Sequence, residues 1–151
     1  MTIIDLPDEN ATRILAARLA AVARPGDVIA LSGELGAGKT SFARAFIRAR
    51  RGSEVVPSPT FTLVQLYDLP GATVWHFDLY RLRHVEEAWE LGIEDAFRDG
   101  ISLVEWPDRL GDLLPAKRLA ILLEYGNGPT ARRAALNAEG AWAARLASAA
   151  V

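Results

Sequence analysis

Two kinds of apolar pattern alternate along the chain and predict its helices and strands. Between Pro7 and Ala23, apolar residues recur three or four positions apart, which predicts an amphipathic helix whose N-cap is Asp8. Short continuous apolar runs at residues 28–32, 101–106 and 119–125 predict buried strands instead. The helical spacing returns after residue 40 and continues to about Arg51, after which Gly52 is expected to end that helix.

The remaining segments predict shorter elements. Residues 61–67 and 73–78 are rich in β-branched and aromatic residues and flank a turn at 68–72, so they predict a hairpin. We expect a further set of short elements: an extended piece at 53–56, a rigid loop at 57–60, helices at 85–91 and 94–98, a loop after Pro107, an edge strand at 132–137 and a closing helix at 141–149. This alternation predicts one α/β domain spanning residues 1–151, a three-layer sandwich with a mixed, mainly parallel sheet.

The segment between the first buried strand and the second helix carries the most specific motif. Residues Gly33 to Thr40, hereafter the P-loop, read Gly-Glu-Leu-Gly-Ala-Gly-Lys-Thr and satisfy the pattern Gly-x4-Gly-Lys-Ser/Thr. Its glycines allow successive backbone N–H groups to point at phosphates, and the following helix adds the positive end of its dipole. Lys39 is then expected to reach the β- and γ-phosphates of a nucleoside triphosphate, and the Thr40 hydroxyl to bind Mg²⁺. The domain is therefore predicted to be a P-loop NTPase.

Two predicted strands end in an acidic residue. Asp78 closes the strand at 73–78, and Glu105 lies at the end of the run that begins at Ile101. A P-loop enzyme needs one acid for its metal ion and can use another to polarise an attacking water. Both are candidates, and the spacing does not assign either role.

Two further polar residues are weaker candidates. His76 lies on the same strand face as Asp78, where a hydrogen-bonded structural histidine is the favoured interpretation. Thr60 follows two prolines and a serine, a composition that fits either a γ-phosphate-sensing switch loop or an ordinary loop.

Composition narrows the class of protein. The 151 residues contain no cysteine and carry a formal net charge of −2, which argues against disulfides and against a general attraction to nucleic acid or anionic membranes. Arginines 44, 48, 50 and 51 are interpreted as a solvated helix face in preference to an RNA contact. No membrane-length apolar run occurs, and residues 1–9 carry acids where a targeting leader would be basic, so we expect a soluble, cytoplasmic protein. No Asn-Lys-x-Asp guanine motif is present, which favours ATP over GTP.

Four motifs in order along the chain resemble one family. They are Leu35-Gly-Ala-Gly-Lys-Thr40, Ser58-Pro-Thr-Phe-Thr-Leu-Val64, His76-Phe-Asp-Leu-Tyr-Arg-Leu82 and Val104-Glu-Trp106. Together they resemble the bacterial TsaE family, the small ATPases of tRNA threonylcarbamoyladenosine synthesis. The sequence departs from the family pattern at Glu34, where aspartate is usual, and the C-terminal third matches only loosely.

The resemblance implies residue roles. It implies a nucleotide site formed by Gly33, Glu34, Leu35, Gly36, Ala37, Gly38, Lys39, Thr40 and Ser41. It further implies that Thr40 and Glu105 bind Mg²⁺, that Asp78 is the acid needed for hydrolysis, and that Trp106 is the family's essential tryptophan. Glu9, Thr12 and Arg133 are implied contacts to the base.

The resemblance also implies partners. The family's ATPase acts with the TsaB and TsaD subunits, which transfer the threonylcarbamoyl group to tRNA, so this chain would meet tRNA only through that complex. ATP hydrolysis would reset the complex between turnovers. Two alternatives from the residues remain open: a small-molecule kinase, and a scaffold that binds nucleotide without hydrolysing it.

Overall fold

A computed structural model describes residues 1–51 and 62–151 of the chain. The helix stop at Gly52, the extended piece at 53–56, the loop at 57–60 with Thr60, and Phe61 lie outside the described residues.

Seven strands and five α-helices make up the described fold. The strands are β1 (Thr2–Leu6), β2 (Val28–Ser32), β3 (Val64–Leu69), β4 (Ala72–Asp78), β5 (Ile101–Glu105), β6 (Leu119–Tyr125) and β7 (Arg132–Ala138). The α-helices are α1 (Glu9–Val22), α2 (Lys39–Arg51), α3 (Glu87–Glu90), α4 (Ile93–Asp99) and α5 (Trp142–Ser148), and a 3-10 helix spans Pro107–Leu113. None of these helices is long and apolar enough to cross a membrane.

All seven strands form one sheet in the order β1-β7-β6-β2-β5-β4-β3. The four central strands β6, β2, β5 and β4 run parallel, while β7 and β3 run antiparallel to their neighbours. Parallel strands need cover on both faces, which explains why β2 and β5 are buried along almost their whole length. The predicted mixed, mainly parallel sheet is confirmed.

Helices cover both faces of the sheet and enclose two apolar cores. One core lies under α1, α2 and α5 and contains Phe42 and Phe46, and the other lies under α3, α4 and the 3-10 helix and contains Phe77. The α1 helix begins as its sequence predicts, since Asp8 Oδ1 accepts a hydrogen bond of 2.9 Å from the Ala11 N–H. These three layers are the predicted α/β sandwich.

The structure corrects the predicted edges of the sheet. Residues 132–137 were expected to form an edge strand, which is wrong, because β7 lies between β6 and a strand that the sequence pattern did not predict, β1. Thr2 pairs with Leu136 and Leu6 with Arg132, so the start of the chain completes the sheet. The loop expected after Pro107 begins instead with the 3-10 helix. The hairpin is confirmed, although its turn is shorter than expected, with only residues 70 and 71 between β3 and β4.

Candidate functional site

The P-loop connects β2 to α2 at the carboxyl end of the central parallel strands. Gly33, Gly36 and Gly38 have φ angles of 141°, 81° and 110°, in the region that favours glycine. A Cβ on Gly33 would overlap the Leu123 carbonyl oxygen, and one on Gly36 would lie 2.8 Å from the Tyr125 hydroxyl. A Cβ on Gly38 would meet no atom within 4 Å. The loop is therefore pressed against β6 on one side and open on the other.

Lys39 folds back across the loop that precedes it. Its Nζ donates hydrogen bonds of 2.6 Å to the Gly33 carbonyl and 2.8 Å to the Glu34 carbonyl, and the side chain is almost fully buried. Burial lowers the pKa of Lys39 from its ordinary value, while the charges of Glu105 and Asp78 oppose that shift. The ammonium group is thus a buried cation held by carbonyl oxygens.

Thr40 and Glu105 contact each other directly. The Thr40 hydroxyl donates a hydrogen bond of 2.9 Å to Glu105 Oε1, and His76 Nε2 lies 2.6 Å from Glu105 Oε2. His76 was predicted to lie on the Asp78 face of its strand, and its polar contact is with Glu105 of the neighbouring strand. A hydroxyl that donates its hydrogen in this way keeps its lone pairs for another partner.

Asp78 and Glu105 are direct neighbours across the sheet. They are paired in the parallel register of β4 and β5, and both are buried. Asp78 Oδ1 accepts a hydrogen bond of 3.2 Å from the Tyr80 N–H. The two acids, which the sequence placed at the ends of separate strands, therefore lie side by side at the carboxyl ends of β4 and β5.

Trp106 covers this region from the side of the 3-10 helix. Its φ and ψ of 58° and 53° are unusual for a bulky residue, a conformation that costs about 1–3 kcal/mol and persists where the surroundings enforce it. In this conformation the indole lies under Lys39, whose Nζ is 4.3 Å from the ring centroid, and against Tyr80 at 4.9 Å between centroids. Trp106 is thus an aromatic wall beside the buried lysine.

These groups line one cavity of about 230 Å³. Its lining residues are Leu35, Gly36, Gly38, Lys39, Thr40, Ser41, Asp78, Tyr80, Glu105 and Trp106. Among the described residues, no group of three or more histidines and acids has the arrangement of a protein-only metal site. A cation here could be held by Thr40 and Glu105 together with oxygens of a ligand. Mg²⁺ is commonly bound in this way, by few protein ligands and by phosphate oxygens.

A second cavity of about 530 Å³ lies on the other side of the P-loop. It shares Gly36, Gly38 and Ser41 with the first cavity and is lined further by Asp8, Glu9, Asn10, Thr12, Ala37, Leu123, Pro129, Thr130 and Arg132. Two predicted base contacts, Glu9 and Thr12, therefore face the P-loop. The third, Arg133, makes an exposed ion pair of 3.1 Å with Asp5 of β1, and its neighbour Arg132 lines the cavity.

Sequence reasoning did not single out three residues at these cavities. Tyr80 lines the first cavity, Arg132 lines the second, and the Tyr125 hydroxyl donates a hydrogen bond of 2.9 Å to the Leu35 carbonyl. Arg132 also lies over the Tyr125 ring at 4.6 Å. Tyr80 follows Asp78 by two residues in a motif already noted, but the other two become relevant only once β6 and β7 are known to pair.

Comparison with known proteins identifies the family of this chain. The family model for the threonylcarbamoyl adenosine biosynthesis protein TsaE matches residues 6–134. The chain belongs to the TsaE family. TsaE proteins named for tRNA threonylcarbamoyladenosine biosynthesis are similar to it. The one from Rickettsia bellii is 39% identical over 120 residues, which cover 79% of this chain and 83% of the relative. The one from Bacillus subtilis is 39% identical over 119 residues, which cover 78% and 73%.

A solved structure has the same fold. The crystal structure of Bacillus subtilis YdiB superposes with a TM-score of 0.80 and 28% sequence identity, covering 99% of this chain and 93% of YdiB. The superposition therefore includes the C-terminal third, where the sequence resemblance to the TsaE family is loose.

Proposed function

We propose that this protein is a Mg²⁺-dependent ATPase that supports threonylcarbamoyladenosine modification of tRNA. The observation that carries the proposal is the convergence of Lys39, the Thr40–Glu105 pair and Asp78 on one cavity beside the P-loop. Membership of the TsaE family supplies the biological setting. The proposed compartment is the cytoplasm, where tRNA and ATP are both available.

The phosphate chain of ATP would bind along the P-loop. Gly38 has open space where a side chain would project, so a phosphate can approach the backbone N–H groups closely. Lys39 would exchange its two carbonyl partners, Gly33 and Glu34, for phosphate oxygens. That exchange replaces neutral acceptors by charged ones and gives the buried ammonium a better counter-charge.

The metal would be held by Thr40 and Glu105. The Thr40 hydroxyl keeps its lone pairs because its hydrogen goes to Glu105, and both side chains line the cavity. When bound, Mg²⁺ would neutralise charge that develops on the phosphate oxygens during transfer. Thr40 and Glu105 would fix its position relative to the P-loop.

Asp78 would orient the attacking water. Its carboxylate lies beside Glu105 in the sheet register and lines the same cavity, while one of its oxygens accepts the Tyr80 N–H. With Glu105 assigned to the metal, Asp78 is the other acid among the described lining residues, and its carboxylate can accept a hydrogen bond from water. Trp106 and Tyr80 would limit access of other water molecules to this side.

The nucleoside would occupy the second cavity. That cavity meets the phosphate region at Gly36, Gly38 and Ser41, and the start of α1 provides Glu9 and Thr12. The proposed base contacts are Glu9 and Thr12 together with Arg132, in place of Arg133, which the family resemblance implied.

TsaB and TsaD are the proposed partners, and hydrolysis would reset their complex between turnovers. The test is phosphate release from ATP by the protein alone, with a panel of small acceptors, and with purified TsaB and TsaD. We expect slow release alone and faster release with the two subunits. Transfer of label to an acceptor would replace this proposal by a kinase, and binding without release under all conditions would replace it by a scaffold.

Two substitutions test the division of roles between the acids. Glu105→Ala should weaken Mg²⁺-dependent ATP binding, whereas Asp78→Ala should keep binding and lose turnover. Binding would be measured by calorimetry and turnover by phosphate release. Equal defects in both variants would contradict the assignment.

A further inference from the structure

Both oxygens of the Glu105 carboxylate are held by side chains. Oε1 accepts the Thr40 hydroxyl at 2.9 Å, and Oε2 lies 2.6 Å from His76 Nε2. His76 is fully buried and Glu105 is 2% exposed, so water does not compete for these bonds. The orientation of the carboxylate is therefore set by Thr40, which lines the cavity, and by His76, which is not among its lining residues.

The imidazole of His76 is directed at Glu105. An ionised carboxylate only accepts hydrogen bonds, so the hydrogen of the short bond lies on Nε2. The other ring nitrogen, Nδ1, is buried and has no hydrogen-bond partner in the described part of the chain. A buried histidine with a purely structural role usually has hydrogen-bond partners at both ring nitrogens. In the described part of the chain, the polar contact of the His76 ring is with the Glu105 carboxylate.

The sheet makes this contact possible and rigid. Asp78 pairs with Glu105, and His76 with Leu103, in the parallel register of β4 and β5. His76 therefore reaches Glu105 diagonally across two central strands. Because both residues lie on fixed backbone, the contact constrains the Glu105 side chain and not the strands.

We propose that His76 is a positioning residue that holds Glu105 in the orientation that leaves the Thr40 hydroxyl available to a divalent cation. This inference rests on the proposed function. Without His76, Oε2 would be a buried oxygen without its partner, and the carboxylate would rotate towards other donors such as Lys39. Loss of such a supporting contact typically weakens metal binding by about 10–100-fold.

The test measures how much Mg²⁺ strengthens ATP binding. The dissociation constant of ATP is determined by calorimetry with Mg²⁺ and with EDTA, and the ratio is the metal gain. His76→Leu should reduce the metal gain by about tenfold or more and leave affinity in EDTA within about twofold. His76→Gln should restore most of the gain, because the glutamine amide can donate from nearly the position of Nε2.

Val74→Ala is the matched control for damage to the core. Val74 lies on the same face of β4, is fully buried, and belongs to the core under α1 and α2. It should lower the unfolding temperature without changing the metal gain. An unchanged gain in His76→Leu, or an equal loss in Val74→Ala, would overturn the positioning role. Absence of any metal gain in the wild-type protein would instead overturn the proposed function.

A measurement on the protein without nucleotide keeps the test independent of variant folding. Nitrogen-15 spectra of the wild-type imidazole should show the hydrogen of His76 on Nε2. A hydrogen on Nδ1 with a bare Nε2 would contradict the contact on which the inference depends.

Discussion

Replacing Lys39 by methionine should remove most of the affinity for ATP and little of the structure. Methionine keeps an apolar stem against the Trp106 ring, where the lysine Nζ now lies 4.3 Å from the centroid. The change therefore removes the charge and its two hydrogen bonds while much of the packing remains. Lys39 is the single basic residue among the described residues that line the first cavity, which also contains Asp78 and Glu105. Without it, the formal charge of those side chains falls from −1 to −2.

The size of the effect follows from the bonds that Lys39 makes. It donates two hydrogen bonds to loop carbonyls, and we expect both donors to turn to phosphate oxygens. A hydrogen bond to a charged group contributes about 1.5–3 kcal/mol, so two correspond to about 3–6 kcal/mol. Since about 1.4 kcal/mol is a factor of ten, ATP should bind about 10²–10⁴-fold more weakly. Repulsion between the two remaining acids and the phosphates acts in the same direction.

Calorimetry with Mg²⁺-ATP measures this loss directly. Lys117, the other lysine of the chain, is exposed and precedes β6, so Lys117→Met is a matched control that should bind ATP like the wild type. Affinity within threefold of wild type in Lys39→Met would refute the role of the P-loop lysine. An equal loss in Lys117→Met would show that general charge, and not this cavity, determines binding.

Three further predictions concern stability. Gly33→Ala should weaken both folding and ATP binding, because the added Cβ would overlap a carbonyl oxygen of β6. Gly128 also has a positive φ, but a Cβ there would meet no atom within 4 Å, so Gly128→Ala should affect folding alone. Equal ATP affinity in the two variants would contradict this prediction. Arg145→Leu should destabilise the fold by about 1–3 kcal/mol because the half-buried Asp27 carboxylate loses its charged partner and keeps the Arg24 N–H, and urea unfolding that shows no loss would contradict it. Because burial lowers the pKa of Lys39, the unfolded chain binds a proton on this residue that the folded chain lacks between the lowered pKa and 10.5. The stability of nucleotide-free wild type relative to Lys39→Met should therefore rise as pH rises towards 10.5, and a difference independent of pH would contradict the shift.

Local patterns predicted most of the elements but not their pairing. The Asp8 cap, the strand before the P-loop and the hairpin depend on neighbouring residues, and the structure confirms each of them. β1 was missed because its five residues alternate weakly, with Ile3 and Asp5 exposed, and it is stabilised mainly by pairing with β7. A strand whose partner is at the other end of the chain carries little signal of its own.

In the site, too, local sequence predicted single residues but not which of them are neighbours. Asp78 and Glu105 could be placed at strand ends from the sequence, because each closes an apolar run. That the two acids are adjacent could not be predicted, because it depends on β4 and β5 being neighbours in the sheet. The contact of His76 with Glu105, and the approach of Arg132 to the second cavity, depend on register and strand order in the same way.

The pairing of β1 with β7 bears on how the protein is made. Residues 2–6 are synthesised before their partner at 132–138, and most of the described sheet lies between them in sequence. Until residues 132–138 have been synthesised, the apolar face of α1 packs beside an incomplete sheet. The exposed apolar surface can then associate with wrong partners. The Thr130 hydroxyl, which donates to the Pro7 carbonyl at 3.3 Å, joins the β6–β7 connection to the β1–α1 connection next to the second cavity. The pocket proposed for the nucleoside would therefore form only after residues 129–132 have been synthesised, and a nascent chain would acquire ATP only after that point.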